Sequence, residues 1–206
     1  MFFSYTQAET EYLKSRDKKL AAIIDRVGFI ERKTEKDVFS ELVLSVLGQQ
    51  ISNKAFETVK RRFTDAIGVI NAENILHMGI DGIRGCGVSG RKAENICAIA
   101  ESVLSGGFDP SELVSLSDDE VIKRLTAFRG VGTWTAEMIL IFCLERKNIL
   151  SFGDFGIRRG IELLYGEADL TKKKMKEYLT LYSPYATVAS FYLWKVGNGE
   201  IIPTEE

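Results

Sequence analysis

Apolar residues recur along the chain at the spacing of amphipathic helices. The sharpest stripe occupies the i, i+3, i+4, i+7 and i+8 positions of one helix face, at Phe39, Leu42, Val43, Val46 and Leu47. Stripes of the same period follow at 93–104 and 161–165, and no segment of the sequence alternates convincingly as a strand would. The pattern therefore predicts an all-α fold of about ten short helices with short connections.

Glycines and polar caps mark the predicted helix boundaries. Gly28 follows the last apolar position of a helical stretch at 4–27 and is expected to end it. Ser117 and Glu120 have the spacing of a capping box, which predicts the start of a helix leading into residues 121–143. We call residues 121–143 the hairpin, because two predicted helices there are joined by a short glycine-containing turn.

Length and composition fit one globular fold. The 206 residues, 45% of them hydrophobic, can bury a core without disulfides. Three widely spaced cysteines without a C-x-x-C pair favour a reducing compartment and predict no metal site. The N-terminus lacks a signal pattern and no apolar run could span a membrane, so we expect a cytoplasmic protein.

The charge balance does not single out a partner. The net charge is −2 and the pI is about 5.7, whereas nucleic-acid-binding domains are usually basic. Local clusters of Lys and Arg nevertheless occur, and a basic face can act within an acidic protein. These clusters, each of which could equally be a solvated helix face, lie at 14–19, 60–62, 91–92, 158–159 and 172–174.

Some short motifs match catalytic fingerprints only in their letters. Residues 85–90 read GCGVSG, but their flanks are helical, so we predict a turn between helices and not a dinucleotide site. Residues 154–156 read DFG without a kinase catalytic loop before them. His77 is the single histidine, which excludes Ser-His-Asp and Cys-His catalysis.

The hairpin turn Gly130-Val131-Gly132 is suited to a close backbone contact. Its glycines lack a Cβ, and the first turn of the following helix, beginning near Thr133, presents unpaired N–H groups. Such N–H groups bind phosphate, and the carbonyls of the turn could hold a monovalent cation. An ordinary turn between two helices is the alternative interpretation of these residues.

The chain resembles the helix–hairpin–helix DNA glycosylase superfamily over roughly residues 35–197. Within that superfamily it is most similar to the alkylpurine (3-methyladenine) DNA glycosylase II branch. Several motifs in the expected order carry the resemblance: LGQQIS at 47–52, GVSGRKA at 87–93, L-x-x-F-x-GVG-x-WTA at 125–136, Asp154, and FYLW at 191–194.

Asp154 matches the catalytic aspartate of this superfamily. Cleavage of an N-glycosidic bond builds positive charge on the sugar, and a fixed carboxylate stabilises that charge and orients water. Asp154 also stands where a helix is expected to begin, so its alternative, purely structural role is that of a helix N-cap. The two roles are compatible, because helix N–H groups also stabilise a carboxylate.

Aromatic residues supply the base pocket that the resemblance implies. Trp134 stands where lyase members have a Schiff-base lysine, and Trp cannot form an imine, so we expect a monofunctional enzyme. Trp134 and Trp194 would be walls for a cationic methylated purine, although either could be ordinary core. Met138 stands where the branch often has an aromatic residue, which could alter the substrate range.

The resemblance implies DNA contacts at further positions. Gln50 matches a wedge residue that fills the gap left by a flipped base, with helix capping as its alternative role. Gly130, Val131, Gly132, Thr133 and Arg158 are candidate phosphate contacts, and Lys92 matches a position near DNA. Arg158 could instead face solvent.

The expected protein is a two-lobed, all-α helix–hairpin–helix glycosylase, residues 1–206, with a DNA-binding cleft between the lobes. It would flip 3-methyladenine or 7-methylguanine type bases out of duplex DNA and leave an abasic site. We expect a monomer that needs no cofactor, binds no membrane and lacks the N-terminal β domain of longer relatives. A glycosylase for oxidised guanine, uracil or a mismatched base, or a non-catalytic DNA-binding module, are the alternatives.

Overall fold

The computed structural model describes residues 1–203, and it confirms the all-α prediction. The described residues form eleven α-helices and one 3₁₀ helix, with a single isolated β-bridge between Phe2 and Lys33. The helices are α1 Gln7–Arg16, α2 Lys18–Val27, α3 Val38–Gly48, α4 Asn53–Ile67, α5 Ala72–Gly85, α6 Gly90–Leu104, the 3₁₀ helix Pro110–Ser115, α7 Asp118–Thr126, α8 Thr133–Phe142, α9 Phe155–Tyr165, α10 Lys172–Tyr182 and α11 Ala186–Gly197. No helix within residues 1–203 is long and apolar enough to cross a membrane.

The chain divides into two compact units. Unit 1 consists of residues 1–34 and 140–206, and unit 2 consists of residues 35–139. The cleft that the sequence predicts between two lobes stays a prediction.

Local sequence determines where the helices begin. Ser117 and Glu120 form the predicted capping box at the start of α7, with the Ser117 backbone N–H 2.8 Å from the Glu120 carboxylate. Gly28 ends α2 as predicted, with a φ of 74°. Ser89 caps α6, so residues 85–90 are the expected turn between two helices. The capping rules thus located these boundaries from the sequence alone.

In unit 1, helices α9 and α11 pack with unusually close backbones. A Cβ built on Gly160 of α9 would overlap the Leu193 carbonyl of α11, and one built on Gly197 of α11 would overlap the Gly156 carbonyl of α9. Only glycine permits this approach. Because Asp154 stands just before α9 and Trp194 is on α11, this close packing brings the two residues within hydrogen-bonding distance.

In unit 2, the core lies among α3, α4, α5 and α6. The side chains of Phe63, Ile75, Ile83 and Ile96 are completely buried there, and the predicted apolar stripe of α3 is buried at all five positions. Burial of these faces holds the end of α3 in place. The segment 48–52 and the hairpin turn both belong to this unit.

Candidate active site and nucleic-acid interface

Asp154 is a buried carboxylate that accepts hydrogen bonds from a backbone N–H and from an indole. It is the N-cap of α9, and its Oδ1 accepts the backbone N–H of Ile157 at 2.9 Å. The same oxygen accepts the indole Nε1–H of Trp194 at 2.8 Å. Only 8% of the Asp154 surface is exposed, so a fixed negative group lies at a helix N-terminus with little access to water.

Trp194 orients this carboxylate from within an aromatic stack. Its ring lies nearly parallel to those of Phe142 and Phe191, with centroids at 5.9 and 6.1 Å. The guanidinium of Arg32 lies 5.2 Å from the Trp194 ring centroid and 5.5 Å from that of Phe142. Aromatic contacts of this kind hold the indole in place, and the fixed indole directs its N–H at Asp154.

Arg32 also brings positive charge near Asp154. Burial lowers the pKa of its guanidinium, while the negative charges of Glu200 and Asp154 act in the opposite direction. An arginine keeps its proton under all ordinary conditions. Arg32 is therefore a permanent cation on the aromatic stack next to the candidate catalytic residue, and no sequence motif identified it.

Arg158 is one turn into α9 and contacts an aromatic ring. Its guanidinium carbon lies 5.1 Å from the centroid of Phe152, and the Lys172 ammonium lies 5.9 Å from the same ring. The Nε of Arg158 is buried and makes no hydrogen bond among residues 1–203. The predicted phosphate contact by Arg158 stays a prediction, now with Lys172 as a second cation beside Phe152.

The hairpin turn lies in unit 2, between α7 and α8. Gly130 has a φ of 84°, and a Cβ there would overlap the side-chain amide of Asn95, so only glycine fits. Val131 is buried and its N–H bonds the Phe128 carbonyl at 3.1 Å, whereas Gly132 and Thr133 are exposed. The turn is thus anchored by Val131 and leaves the start of α8 accessible.

The segment after α3 is fixed to the hairpin by side chains. The Gln49 Nε2 amide donates to the Gly130 carbonyl at 2.7 Å. The Lys92 ammonium, from α6, donates to the carbonyls of Leu47 (2.9 Å) and Gln49. Burial lowers the pKa of Lys92. Lys92 therefore caps the end of α3 in this structure.

Gln50 is exposed and adopts a left-handed backbone conformation, with a φ of 56°. This conformation is uncommon for residues other than glycine, asparagine and aspartate and costs about 1 kcal/mol or more. The neighbouring Gln49 and Lys92 bonds hold the segment in place despite this cost. An exposed, rigidly presented side chain is what a wedge requires, and the wedge role stays a prediction.

A cavity of about 640 Å³ opens beside these residues in unit 2. Trp134 lines it and is 42% exposed, which is unusual for so large an aromatic side chain. Further lining comes from α3, the 48–51 segment, α4 and the hairpin. Met138, one turn after Trp134 on α8, is buried and is not among the lining residues.

The candidate residues thus form one group in each unit. Asp154, Trp194 and Arg158 belong to unit 1, and Gln50, the hairpin turn, Trp134 and Met138 belong to unit 2. Among residues 1–203 there is no group of three or more His, Cys, Asp or Glu side chains that could hold a metal ion. The functional features of the unit 1 group include a fixed carboxylate. Those of the unit 2 group include an exposed tryptophan and a glycine turn.

Known proteins are similar to this chain in both sequence and fold. A family model described as HhH-GPD superfamily base excision DNA repair protein matches residues 43–184. The chain belongs to the HhH-GPD superfamily. That match includes the hairpin, Trp134 and Asp154, whereas Trp194 lies ten residues beyond it.

Several HhH-GPD relatives cover nearly the whole chain. DNA-3-methyladenine glycosylase 1 of Schizosaccharomyces pombe is 34% identical over 203 residues, covering 95% of this chain and 89% of the relative. The crystal structure of a Bacillus halodurans DNA-3-methyladenine glycosidase is similar with a TM-score of 0.85 and 35% identity, covering 99% of this chain and 96% of that one. The Schizosaccharomyces pombe 3-methyladenine DNA glycosylase Mag1, solved in complex with abasic DNA, has a TM-score of 0.83 and 31% identity, covering 98% of this chain and 100% of that one.

Proposed function

We propose that the protein is a base excision repair DNA glycosylase that hydrolyses the N-glycosidic bond of alkylated purines, of the 3-methyladenine and 7-methylguanine type. One observation carries the proposal: Asp154 is fixed by the Ile157 N–H and by the Trp194 indole. The names of the relatives support the choice of substrate, since the first relative and both solved structures are described as 3-methyladenine enzymes.

The proposed reaction places the charge of Asp154 against the sugar. As the bond between C1′ and the base nitrogen lengthens, the base takes the bonding electrons and the deoxyribose becomes positive, as in glycoside hydrolysis. Asp154 stabilises that positive charge and accepts a proton from the water that adds to C1′. Because the Ile157 and Trp194 hydrogen bonds hold the carboxylate before the reaction begins, little reorganisation is needed.

Base release is the only step that these residues support. Trp134 stands where lyase members of the superfamily have a lysine, and an indole cannot form the imine that strand cleavage requires. The product is therefore an abasic site in an uncut strand. The complex of the relative Mag1 with abasic DNA is consistent with such a product remaining bound.

The hairpin and Gln50 would provide the DNA contacts. The accessible first turn of α8 suits a phosphate, and the exposed Gln50 suits the gap left when a base leaves the stack. Phosphate contacts of this kind position a protein without reading sequence, as repair of scattered lesions requires. The protein would act on damaged double-stranded DNA as a monomer.

A panel of lesion duplexes tests this proposal. Separate duplexes carry 7-methylguanine, oxidised guanine, uracil or a mismatched base, and released base is measured with and without alkali to distinguish abasic sites from strand breaks. We expect release of the alkylated purine, with strand breaks appearing only after alkali. Preferential release of oxidised guanine or uracil would reassign the substrate, and DNA binding without release of any base would indicate a non-catalytic module.

A further inference from the structure

Glu41 is an acidic residue in the wall of the unit 2 cavity. It lies on α3, and the cavity of about 640 Å³ is also lined by Trp134, Phe56 and the hairpin glycines. A cavity of this size accommodates a purine base with room to spare. Its wall therefore combines an exposed aromatic face with a carboxylate.

Glu41 is in the first turn of α3, where a negative charge is favourable, but its carboxylate has no direct partner among residues 1–203. It makes no hydrogen bond or ion pair with another residue in the described part of the chain, and the residue is half-buried. Burial raises its pKa, the nearby Lys60 lowers it, and Glu35 raises it. A carboxylate that lines a cavity and has no hydrogen-bonded or ion-paired partner can direct its charge at a molecule in that cavity.

We propose that Glu41 determines specificity by giving the base pocket a negative charge that favours cationic alkylated purines over neutral bases. This inference rests on the proposed function and on a base entering the cavity beside Trp134. It assigns a chemical class to the pocket: a planar, positively charged heterocycle.

A cationic base and a neutral base interact differently with this pocket. N-alkylation at a purine ring nitrogen leaves a delocalised positive charge, which is attracted both to the face of Trp134 and to the Glu41 carboxylate. A neutral base of the same shape gains stacking but neither electrostatic contribution. Lys60 opposes this preference, since its ammonium lies 5.8 Å from the ring centroid of Phe56, another lining residue. Glu41 therefore has to outweigh a neighbouring cation, and its removal leaves no charged side chain among the lining residues that the structure describes.

The test compares a cationic with a neutral lesion in the same duplex sequence. Single-turnover release of 7-methylguanine and of hypoxanthine is measured for the wild type, for Glu41→Gln and for Glu35→Gln. Glu35 is the matched control, because its carboxylate also acts on Glu41 through space but does not line the cavity. We expect Glu41→Gln to slow 7-methylguanine release about tenfold, which is a modest effect for one charge interaction, while hypoxanthine release changes less than about twofold. Glu35→Gln should leave both rates nearly unchanged.

The outcomes separate this inference from the proposed function. If the wild type releases 7-methylguanine and Glu41→Gln releases it equally fast, the role of Glu41 is wrong and the proposed function stands. If the wild type releases neither base, the proposed function fails as well. If the wild type releases 7-methylguanine but no hypoxanthine, the test rests on the 7-methylguanine rate alone. In that case, a rate for Glu41→Gln that is no lower than the rate for Glu35→Gln would overturn the role of Glu41.

Thermal unfolding distinguishes specificity from a structural role. Since burial disfavours the ionised Glu41 side chain, Glu41→Gln should unfold at the same temperature as the wild type or higher. A lower unfolding temperature accompanied by equal slowing on both lesions would mean that Glu41 supports the fold, and would overturn the proposal.

Discussion

Two hydrogen bonds to the Oδ1 of Asp154 come from different helices. Ile157 donates from the first turn of α9 and Trp194 from α11, both to Oδ1. The first bond is local and follows from the N-cap position, so the sequence predicts it. The second joins residues forty positions apart, and the sequence alone suggested only a stacking role for Trp194. The predicted contact between Trp194 and a base stays a prediction.

Trp194→Phe isolates the hydrogen bond from the ring. Phenylalanine retains an aromatic side chain against Phe142 and Phe191 but removes the donor to Asp154. A hydrogen bond to a charged group contributes about 1.5–3 kcal/mol, so we expect the single-turnover rate of base release to fall by at least about tenfold. In an Asp154→Asn background the same substitution should have almost no further effect, because the carboxylate that it orients is gone. Equal losses in both backgrounds would indicate that Trp194 acts independently of Asp154.

At the scale of elements, close packing of α9 against α11 sets the geometry of unit 1. Gly156 and Gly160 are four residues apart on one face of α9, and Gly197 faces them from α11. A Cβ on Gly156 would lie 2.8 Å from the Trp194 ring, so this glycine also leaves space for the indole. The glycines are visible in the sequence, but their partner helix is not, because helix pairing depends on long-range packing.

Gly160→Ala should weaken this packing. The added methyl group overlaps the Leu193 carbonyl, a backbone atom that cannot rotate away, so we expect a loss of about 3 kcal/mol or more in the free energy of unfolding. Urea unfolding measures it. Gly85→Ala is the control, since a Cβ there meets no atom within 4 Å, and its unfolding free energy should be unchanged or slightly higher. Equal stabilities for the two variants would contradict the proposed close packing.

In unit 2, the sequence predicted the position of α3 but not the side-chain contacts at its end. The apolar stripe located α3 and the break at Gly48, because helical periodicity is a local property. The position of Lys92 near DNA stays a prediction, and the sequence did not indicate that its ammonium caps α3 through the Leu47 and Gln49 carbonyls. Glu41 was not singled out, since a lone acidic residue on a helix carries no motif. Its significance depends on the cavity, which is formed by segments distant in sequence.

At the scale of the whole molecule, the net charge of −2 does not by itself indicate DNA binding. Membership of the HhH-GPD superfamily and similarity to DNA-3-methyladenine glycosylase 1 instead indicate a DNA repair protein. Arg158 and Lys172 lie beside Phe152 and form one positively charged patch. Such a patch supplies local positive charge for DNA binding within a protein of negative net charge. The fold class, the hairpin turn and the N-cap position of Asp154 were predictable from sequence, because each has a local pattern or a motif.

Stability should depend on pH through the ion pair of Glu9 and Lys147 in unit 1. The Lys147 ammonium lies 2.7 Å from the Glu9 carboxylate and, with bonds from Thr6, lowers the pKa of Glu9 to about 2 from its usual 4.5. A carboxyl whose pKa is lower in the folded state stabilises the fold above the unfolded pKa, and this contribution disappears as the pH falls through the folded value.

Glu9→Gln should therefore be less stable than the wild type at neutral pH. The difference in unfolding temperature should shrink as the pH falls below about 4.5 and vanish near pH 2, because the wild-type carboxylate is then protonated. Thermal unfolding followed by circular dichroism across this range measures it. A difference that is independent of pH would show that the ion pair contributes no stability.

The central claim is that the Asp154 carboxylate drives release of an alkylated base, and one comparison tests it most directly. The wild type and Asp154→Asn are each mixed, in separate reactions and in excess, with duplex DNA containing 7-methylguanine. Base release and duplex binding are both measured. Asparagine keeps the shape and can still cap α9, but it carries no charge to stabilise a positive sugar. We predict that base release falls by at least about a thousandfold while duplex binding stays within a few-fold of wild type. Base release at the wild-type rate by Asp154→Asn would contradict the account.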